Sequence, residues 1–339
     1  MARPGPTWPE RASASRSQAA PPRAAGYPRG LPYAARLECR IRRAGRLAIE
    51  EKALILVTGA SGNVGREVVR ALRAAGERVR VALHGATRAP VADPGVTAAR
   101  LDYRDPATFA TALAGVRRIF LMRPNAVLAV KSTLNRLLDA AVQCGVEQCV
   151  FLSVAGAEHN SFIPHRAVED HLKRSALQWT ILRPSFFVQN LTGPYRKDIL
   201  EGEIVLPAGE GRVAYVDTCD LGDVAAMALR DPTGHAGKAY HLTGPDSLTF
   251  AEVAALLSGE LGRRVNYEPA SVWRYWRHCY KRGYGFVESA AYTAIHATLR
   301  GGGGAATDPT LERLLQRPAR TVRQFIAEHR SVWAPVSSS

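Results

Sequence analysis

The chain has 339 residues, 46% of them apolar, and carries a formal net charge of +15 at pH 7. This apolar content excludes a largely disordered chain, and no run approaches the ~18 apolar residues of a membrane span, so we expect no membrane partner. The five cysteines form no Cys-x-x-Cys pair, which indicates reduced thiols in the cytoplasm rather than disulfides or a zinc site.

Residues 1–50 hold much of the positive charge. They contain ten arginines against three glutamates, are rich in Pro, Ala and Ser, and show almost no apolar periodicity. Such a composition predicts a disordered basic extension. A solvated extension, an organelle-targeting peptide and residues upstream of the true start codon are three interpretations of it. The rest of the chain is only mildly basic, which does not favour a nucleic-acid partner.

From residue 52 onward, short apolar runs alternate with segments of helical periodicity. Strands are predicted at 54–57, 79–83, 97–101, 118–122, 149–153, 180–183 and 239–242. Helices are predicted at 64–75, 106–114, 131–144, 164–175, 220–230 and 249–262, with Asp220 or Thr218, and Thr249, as N-cap candidates. Strands separated by helices of this length indicate βαβ units and an α/β fold with a doubly wound parallel sheet.

Residues 190–215 and 263–330 fall outside this alternation. We expect them to form a smaller C-terminal substrate lobe within a single domain of residues 51–333. Ligands of open α/β sheets bind beyond the carboxyl ends of the strands, so this lobe should close the pocket. The run of glycines at 301–304 is interpreted as a linker rather than a hinge near the pocket.

The most informative stretch is Leu-Ile-Leu-Val-Thr-Gly-Ala-Ser-Gly-Asn-Val-Gly at 54–65. In this pattern Gly59 permits a tight turn, Gly62 lets a pyrophosphate approach the backbone, and Gly65 lets helix and strand pack closely. The helix N-terminus that follows presents N–H groups and a positive dipole end to phosphates. The alternative is a structural turn without a ligand, but strand, turn and helix in register favour a Rossmann-like dinucleotide site.

Further motifs carry a family resemblance over residues 52–333. They are Leu101-Asp-Tyr, Ser153-Val-Ala-Gly-Ala, His165-Arg-Ala-Val-Glu, Trp179-Thr-Ile-Leu-Arg-Pro-Ser-Phe-Phe-Val-Gln-Asn, Tyr240-His-Leu-Thr-Gly-Pro and Leu311 to Phe325. Together with the glycine turn, and in this order, they resemble the NmrA-like group of the atypical short-chain dehydrogenase/reductases. The resemblance implies an NAD(P) cofactor, with the end of the third strand near its adenine.

The candidate cofactor-binding residues follow from the glycine turn, the strand ends and this resemblance. They are Gly59, Ser61, Gly62, Asn63, Val64, Gly65, His84, Arg88, Asp102, Tyr103 and Met122. An acid after the second strand would favour NAD, but residues 82–88 contain none. His84, Thr87 and Arg88 can instead hold a 2′-phosphate, so we expect NADP over NAD; the alternative is that Arg88 faces solvent.

The chain departs from the wider superfamily at the residues that carry its carbonyl chemistry. Reductases of that superfamily place Tyr-x-x-x-Lys on the helix after the fifth strand, and the lysine lowers the pKa of the tyrosine. Here those positions are His165 and Glu169, and a carboxylate would raise the pKa of a neighbouring acid. Alcohol–ketone chemistry is therefore disfavoured, although the substitution is common in the NmrA-like group.

Hydride transfer to a quinone, an iminium ion or an activated alkene needs no strong side-chain acid. The leading hypothesis is an NAD(P)H-dependent reductase of such a small substrate, with His165 as proton donor or orienting group and Ser153 as a hydrogen-bonding partner. The substrate-binding candidates are Phe186, Phe187 and Asn190. A histidine satisfied by water or backbone at the helix start is an equal alternative for His165. Structural roles are favoured for Glu169 and Arg183.

Other functions remain open. The runner-up is a non-catalytic regulator that senses NAD(P) redox state and binds a protein partner. Arginines interleaved with aromatics at 272–283 suggest nucleic-acid binding. However, Val272, Trp276, Cys279 and Gly283 have helical spacing, which favours a helix that covers the pocket. Three aspartates at 217–223 are interpreted as capping or solvent-facing residues, so no metal is expected. The sequence leaves the oligomeric state open.

Overall fold

A seven-stranded parallel sheet lies at the centre of the fold. The computed structural model describes residues 52–84 and 93–334. Its strands are β1 Leu54–Val57, β2 Arg78–Leu83, β3 Val96–Arg100, β4 Val116–Met122, β5 Gln148–Leu152, β6 Gln178–Pro184, β7 Phe186–Phe187, β8 Glu203–Leu206, β9 Val213–Val216, β10 Lys238–Leu242, β11 Ser247–Leu248 and β12 Asn266–Pro269. The large sheet has the order β3-β2-β1-β4-β5-β6-β10, and every neighbouring pair is parallel. The order reverses between β1 and β4, which confirms the predicted doubly wound, Rossmann-like fold.

Helices cover both faces of this sheet. They are α1 Asn63–Ala74, α2 Phe109–Leu113, α3 Leu134–Gln143, α4 Pro164–Arg174, α5 Arg196–Leu200, α6 Thr218–Arg230, α7 Pro232–His235, α8 Phe250–Leu261, α9 Val272–Lys281, α10 Phe286–Leu299, α11 Thr310–Leu315 and α12 Val322–Glu328. On one face, α1 and α6 bury side chains such as Leu72 and Val224 against the sheet. On the other face, α2, α3 and α4 do the same with Phe109, Leu138 and Leu172. Continuous apolar strands are typical of a sheet buried on both sides.

A second core lies outside the large sheet. It combines apolar side chains of β8, β9, α5, α8, α9 and α12 with Trp333, and two small sheets, β11-β9-β7 and β12-β8, belong to this region. The segments predicted as a substrate lobe contribute to this core. So does α8, whose Phe250, Val253 and Leu257 are buried here, although the sequence rhythm placed it among the helices that flank the large sheet. The predicted extension at 1–50 lies outside the described residues.

Two local predictions need correction. Helix α6 is capped by Asp217, whose carboxylate accepts a hydrogen bond from the Cys219 N–H, and neither Thr218 nor Asp220 is its N-cap. The glycine run at 301–304 is not a free linker, because the Gly304 carbonyl accepts a 2.7 Å hydrogen bond from the Ala214 N–H in β9. In contrast, Thr249 caps α8 as predicted and forms a capping box with Glu252. Within the described residues, no helix is both long and apolar enough to cross a bilayer.

Candidate functional site

The glycine turn lies between β1 and α1 and has the geometry that the pattern predicts. Gly59 has a φ of +64°, and a Cβ there would lie 2.0 Å from the Met122 Sδ. A Cβ on Gly65 would lie 2.1 Å from the Gly59 carbonyl oxygen. Both positions therefore require glycine, the first for its left-handed φ and the second for the close approach of helix to turn.

The N-terminus of α1 opens beside this turn. Gly62 is the N-cap, no side chain caps the helix, and the first turn contains no acidic residue. Ser61 and Asn63 are exposed, whereas Val64 is buried in the core of the sheet. A twelve-residue helix with an uncapped N-terminus can receive a phosphate through its N–H groups and its dipole.

The next residues lie along the carboxyl ends of β2, β3 and β4. His84 is exposed at the end of β2, 3.9 Å from the Asp102 carboxylate that follows β3. Tyr103 is buried, and its hydroxyl donates a 2.9 Å hydrogen bond to the Met122 carbonyl. Tyr103 thus supports the end of β4, while the His84 side chain is exposed and the Asp102 side chain is partly buried. Arg88 and Thr87 lie outside the described residues.

A buried polar network joins the ends of β5 and β6 to α4. The fully buried Glu169 carboxylate accepts hydrogen bonds from Ser153 Oγ at 2.6 Å and from Arg183 Nε and Nη2 at 3.0 and 2.6 Å. Lys173 Nζ lies 3.4 Å away. Burial raises the pKa of Glu169, but hydrogen bonds from Arg183 and Ser153 outweigh it and leave the pKa below its usual value. Glu169 is therefore ionised, and the Ser153 hydroxyl proton is committed to it.

His165 lies in the first turn of α4 and is held neutral. Burial and the neighbouring Arg123 lower its pKa to about 4. The Arg123 Nε–H donates to His165 Nε2 at 3.4 Å, so the imidazole proton belongs on Nδ1. Within the described part of the chain, His165 Nδ1 is buried and has no hydrogen-bond partner. The structure thus pairs Ser153 with Glu169 rather than with His165, and an imidazolium donor at His165 is disfavoured.

Arg123 was not found by sequence reasoning. It follows β4 directly, and its guanidinium also donates to the Asn125 and Val127 carbonyls of the next loop. Burial lowers its pKa without making it neutral at physiological pH. Arg123 could have been identified from its position in the sequence, because a charged residue at the carboxyl end of a predicted parallel strand lies where such folds bind ligands.

A cavity of about 110 Å³ lies in the second core, beyond the end of β6. Phe186 and Asn190 line it, as do Tyr195, Tyr275 and His296. Burial lowers the pKa of His296 to about 4, so this histidine is neutral too; it bonds Tyr195 through Nε2 and the Tyr292 carbonyl through Nδ1. The walls are mainly aromatic, and the charged lining residues Asp198 and Arg282 form an ion pair with each other.

Phe186 and Asn190 line the cavity, but Phe187 does not, and the predicted face of α9 does so only in part. Phe187 packs against the core of the large sheet rather than lining the cavity. Helix α9 does contribute to the cavity wall, but through Tyr275, His278 and Cys279, whereas Val272 is exposed. Of the predicted face, Cys279 is buried and lines the cavity as expected and Trp276 is partly buried, whereas the expected burial of Val272 and Gly283 is wrong.

The three aspartates near α6 form ion pairs with arginines. Asp217 bonds Arg320, while Asp220 and Asp223 both bond Arg317. In the residues that the structure describes, no group of three or more His, Cys, Asp or Glu side chains can hold a metal ion.

The sheet order and the glycine turn define a Rossmann-like α/β protein. A model of the NmrA-like family matches residues 51–277. The chain therefore belongs to the NmrA-like family, which confirms the resemblance in the sequence.

Relatives and solved structures agree with this assignment. An "NAD(P)H azoreductase" of Xenophilus azovorans is 34% identical over 81% of this chain and 98% of that protein. A "(4-alkanoyl-5-oxo-2,5-dihydrofuran-3-yl)methyl phosphate reductase" of Streptomyces griseus is 35% identical over 83% of this chain and all of that protein. The solved NADPH-dependent quinone oxidoreductase of Escherichia coli, in complex with NADPH, has a TM-score of 0.72 and 24% identity over 81% of this chain and 99% of that one. This last likeness concerns the fold.

Proposed function

We propose that the protein is an NAD(P)H-dependent reductase that transfers a hydride to a small electrophilic substrate: a quinone, an iminium ion or an activated alkene. The observation that carries this proposal is the glycine turn, with a sterically required Gly65 beside an uncapped helix N-terminus. Relatives at 34–35% identity that are named as reductases support it.

The bound nicotinamide would supply the hydride, and the chain would supply position and exclusion of water. We place the pyrophosphate at Gly62 and the substrate in the aromatic cavity at Phe186 and Asn190. The second core would then serve as the substrate lobe. His165 and Ser153 are not among the residues that line this cavity. We propose that neutral His165 orients the reacting groups from α4 through its Nδ1–H, which is unpartnered within the described residues, and that Ser153 Oγ can only accept a hydrogen bond, because Glu169 holds its proton. Neither group need be a strong acid, which suits substrates that accept a hydride directly.

We propose NADP as the preferred cofactor. His84 is exposed at the end of β2, and the sequence from Ala82 to Arg88 contains no carboxylate, although Asp102 after β3 lies 3.9 Å from His84. We also propose a cytoplasmic location, since Cys144, Cys149, Cys219 and Cys279 are all free thiols, as in a reducing compartment.

The test is a fluorescence titration of the full chain with NADPH and NADH, followed by absorbance assays with quinones, azo dyes and iminium ions. We expect NADPH to bind more tightly than NADH, and at least one of these substrate classes to oxidise the bound NADPH. Asn190→Ala should raise KM, whereas Phe187→Leu, at a side chain outside the cavity lining, should leave KM unchanged. Tight binding without turnover would favour the redox-sensing regulator, and absence of binding would refute both functions.

A further inference from the structure

Helices α9 and α10 expose an unusual amount of apolar surface. Of the eight large hydrophobic side chains that are exposed in the described residues, five lie on these two helices: Val272, Trp273, Tyr280 and Phe286, together with Ile295, which also lines the aromatic cavity and does not belong to this surface. On α10, Ala290 and Ala294 are also exposed. This helix contains one carboxylate, Glu288, and no lysine or arginine. We call this surface the α9–α10 face. Exposed patches of this kind mark binding surfaces.

Aromatic rings organise the α9 side of the α9–α10 face. Trp276 stacks on Trp273 and on Tyr280, with 5.1 and 5.9 Å between the ring centroids and an interplanar angle of 13° in both pairs. Phe286 contacts the edge of the same cluster at 5.4 Å from Trp276. Trp and Tyr combine an apolar ring with a polar group, which suits the boundary between lipid headgroups and acyl chains.

Two cations lie beside these rings. Arg277 and Lys281 are exposed, and no carboxylate of residues 52–84 or 93–334 forms an ion pair with either. The other two arginines of this segment, in contrast, are paired: Arg274 forms a 2.7 Å ion pair with Glu268, and Arg282 forms one with Glu201. The α9–α10 face thus offers two positive charges that have no ion-pair partner among the described residues, although Glu203 and Glu268 lie in the same groove.

We propose that the α9–α10 face binds peripherally to an anionic lipid bilayer. The aromatic rings and the apolar side of α10 would enter the headgroup region, and Arg277 and Lys281 would contact lipid phosphates. The proposal departs from the sequence-based expectation of no membrane partner. That expectation rested on the lack of a spanning run, and peripheral binding needs no membrane-spanning helix. The proposal is independent of the proposed reaction.

Charge and ring geometry favour lipid over other occupants. A two-fold interface between copies places the same patch on both subunits, which would bring Arg277 and Lys281 near their own counterparts. Single-stranded nucleic acid stacks its bases on open ring faces. The Trp276 ring is already engaged in stacking with Trp273 and Tyr280, and α10 has no lysine or arginine between Phe286 and Leu299 that could contact a phosphate.

The test is sedimentation of the full chain with two kinds of vesicle, phosphatidylcholine alone and phosphatidylcholine mixed with phosphatidylglycerol. We expect binding to the mixed vesicles, weakened by salt. The pair Trp273→Ser and Phe286→Ser should reduce the partition coefficient at least about tenfold by removing inserted apolar area. Arg277→Glu with Lys281→Glu should reduce it by a similar factor on mixed vesicles, by removing phosphate attraction.

The matched control is Phe162→Ser, which removes an aromatic ring that is 93% exposed elsewhere on the protein and should leave vesicle binding unchanged. Equal binding by the wild type and the α9–α10 variants would overturn the proposal, because the basic residues 1–50 or another surface would then carry the binding. Failure to bind mixed vesicles would also overturn it. So would concentration-dependent self-association, or oligonucleotide binding, that the Trp273→Ser and Phe286→Ser changes abolish.

Discussion

At the residue scale, burial decides what the candidate catalytic groups can do. The sequence placed His165 and Glu169 where the wider superfamily has tyrosine and lysine, but it could not show which way each side chain turns. Glu169 turns inward to Arg183 and Ser153, and His165 meets Arg123 from a different strand end. These contacts join segments that are 14 to 42 residues apart in the chain, so local patterns do not contain them.

Two of the buried histidines, His165 and His296, predict that stability falls with acid. Because the pKa of His165 and that of His296 are near 4 in the folded state and near 6.5 when unfolded, the unfolded chain binds more protons below pH 6.5. Their stabilising contribution is complete above pH 6.5 and is lost as the pH falls towards 4, by about 3 kcal/mol for each histidine. Urea unfolding at pH 7.5 and at pH 4.5 measures this loss of unfolding free energy.

Variants separate this effect from the titration of carboxylates. His165→Asn should flatten the fall in unfolding free energy between the two pH values, whereas His159→Asn, at an exposed side chain, should not. If His165→Asn kept the full pH dependence of the wild type, His165 would not be neutral in the fold.

The Glu169–Arg183 pair predicts a large stability loss on neutralisation. Glu169→Gln would leave the buried Arg183 guanidinium with Glu158, 3.3 Å away, as a remaining carboxylate partner, and we expect the change to cost about 2 kcal/mol. Asp170→Asn is the matched control, because it removes a partly exposed pair with Arg166 on the same helix and should cost under about 1 kcal/mol. Chemical denaturation of both variants gives the comparison, and equal losses would contradict the assigned role of burial.

At the element scale, the sequence located the strands of the large sheet to within two residues at each end. Strands buried on both faces appear as continuous apolar runs, which can be recognised in the sequence without knowledge of the fold. The orientation of α9 was harder to read, because its aromatic residues occur on both sides of the helix. Tyr275 and Cys279 became the buried pair, while Trp273 and Tyr280 face outward.

The turn between β1 and α1 predicts two different outcomes for its glycines. A Cβ at Gly65 meets backbone 2.1 Å away, so Gly65→Ala should destabilise the fold by several kcal/mol and weaken cofactor binding with it. A Cβ at Gly62 meets only the Gly59 carbonyl at 3.3 Å. Gly62→Ala should therefore fold nearly normally but bind NADPH at least about tenfold more weakly, because a methyl group blocks the pyrophosphate.

Denaturation curves and NADPH titrations of the two glycine variants make the comparison. Unchanged NADPH affinity in a well-folded Gly62→Ala protein would refute the placement of the pyrophosphate at this turn. A stable Gly65→Ala protein would show that helix and turn can separate, contrary to the close packing in the structure.

At the scale of the whole molecule, the sheet was predictable strand by strand, whereas the second core was expected only as a lobe of residues 190–215 and 263–330, without its elements. The βαβ rhythm repeats in sequence, so the large sheet follows from counting elements. The second core collects short strands and helices from residues 188–333 with no such rhythm, and its partners are set by long-range packing. Thus Phe186 and Asn190 were identified from the sequence, but Tyr195 and His296, which face them across the cavity, were not.

The charge distribution predicts that residues 1–50 add little to folding. They carry ten arginines and almost no periodic apolar residues, so they have little surface to bury on folding. Removing them should leave the unfolding midpoint and the denaturant m-value unchanged, since the m-value scales with the surface exposed on unfolding. NADPH affinity should also be unchanged, because the cofactor candidates begin at Gly59. A lower m-value in the shortened chain would mean that this segment buries surface after all, and its composition would then be a poor guide to disorder.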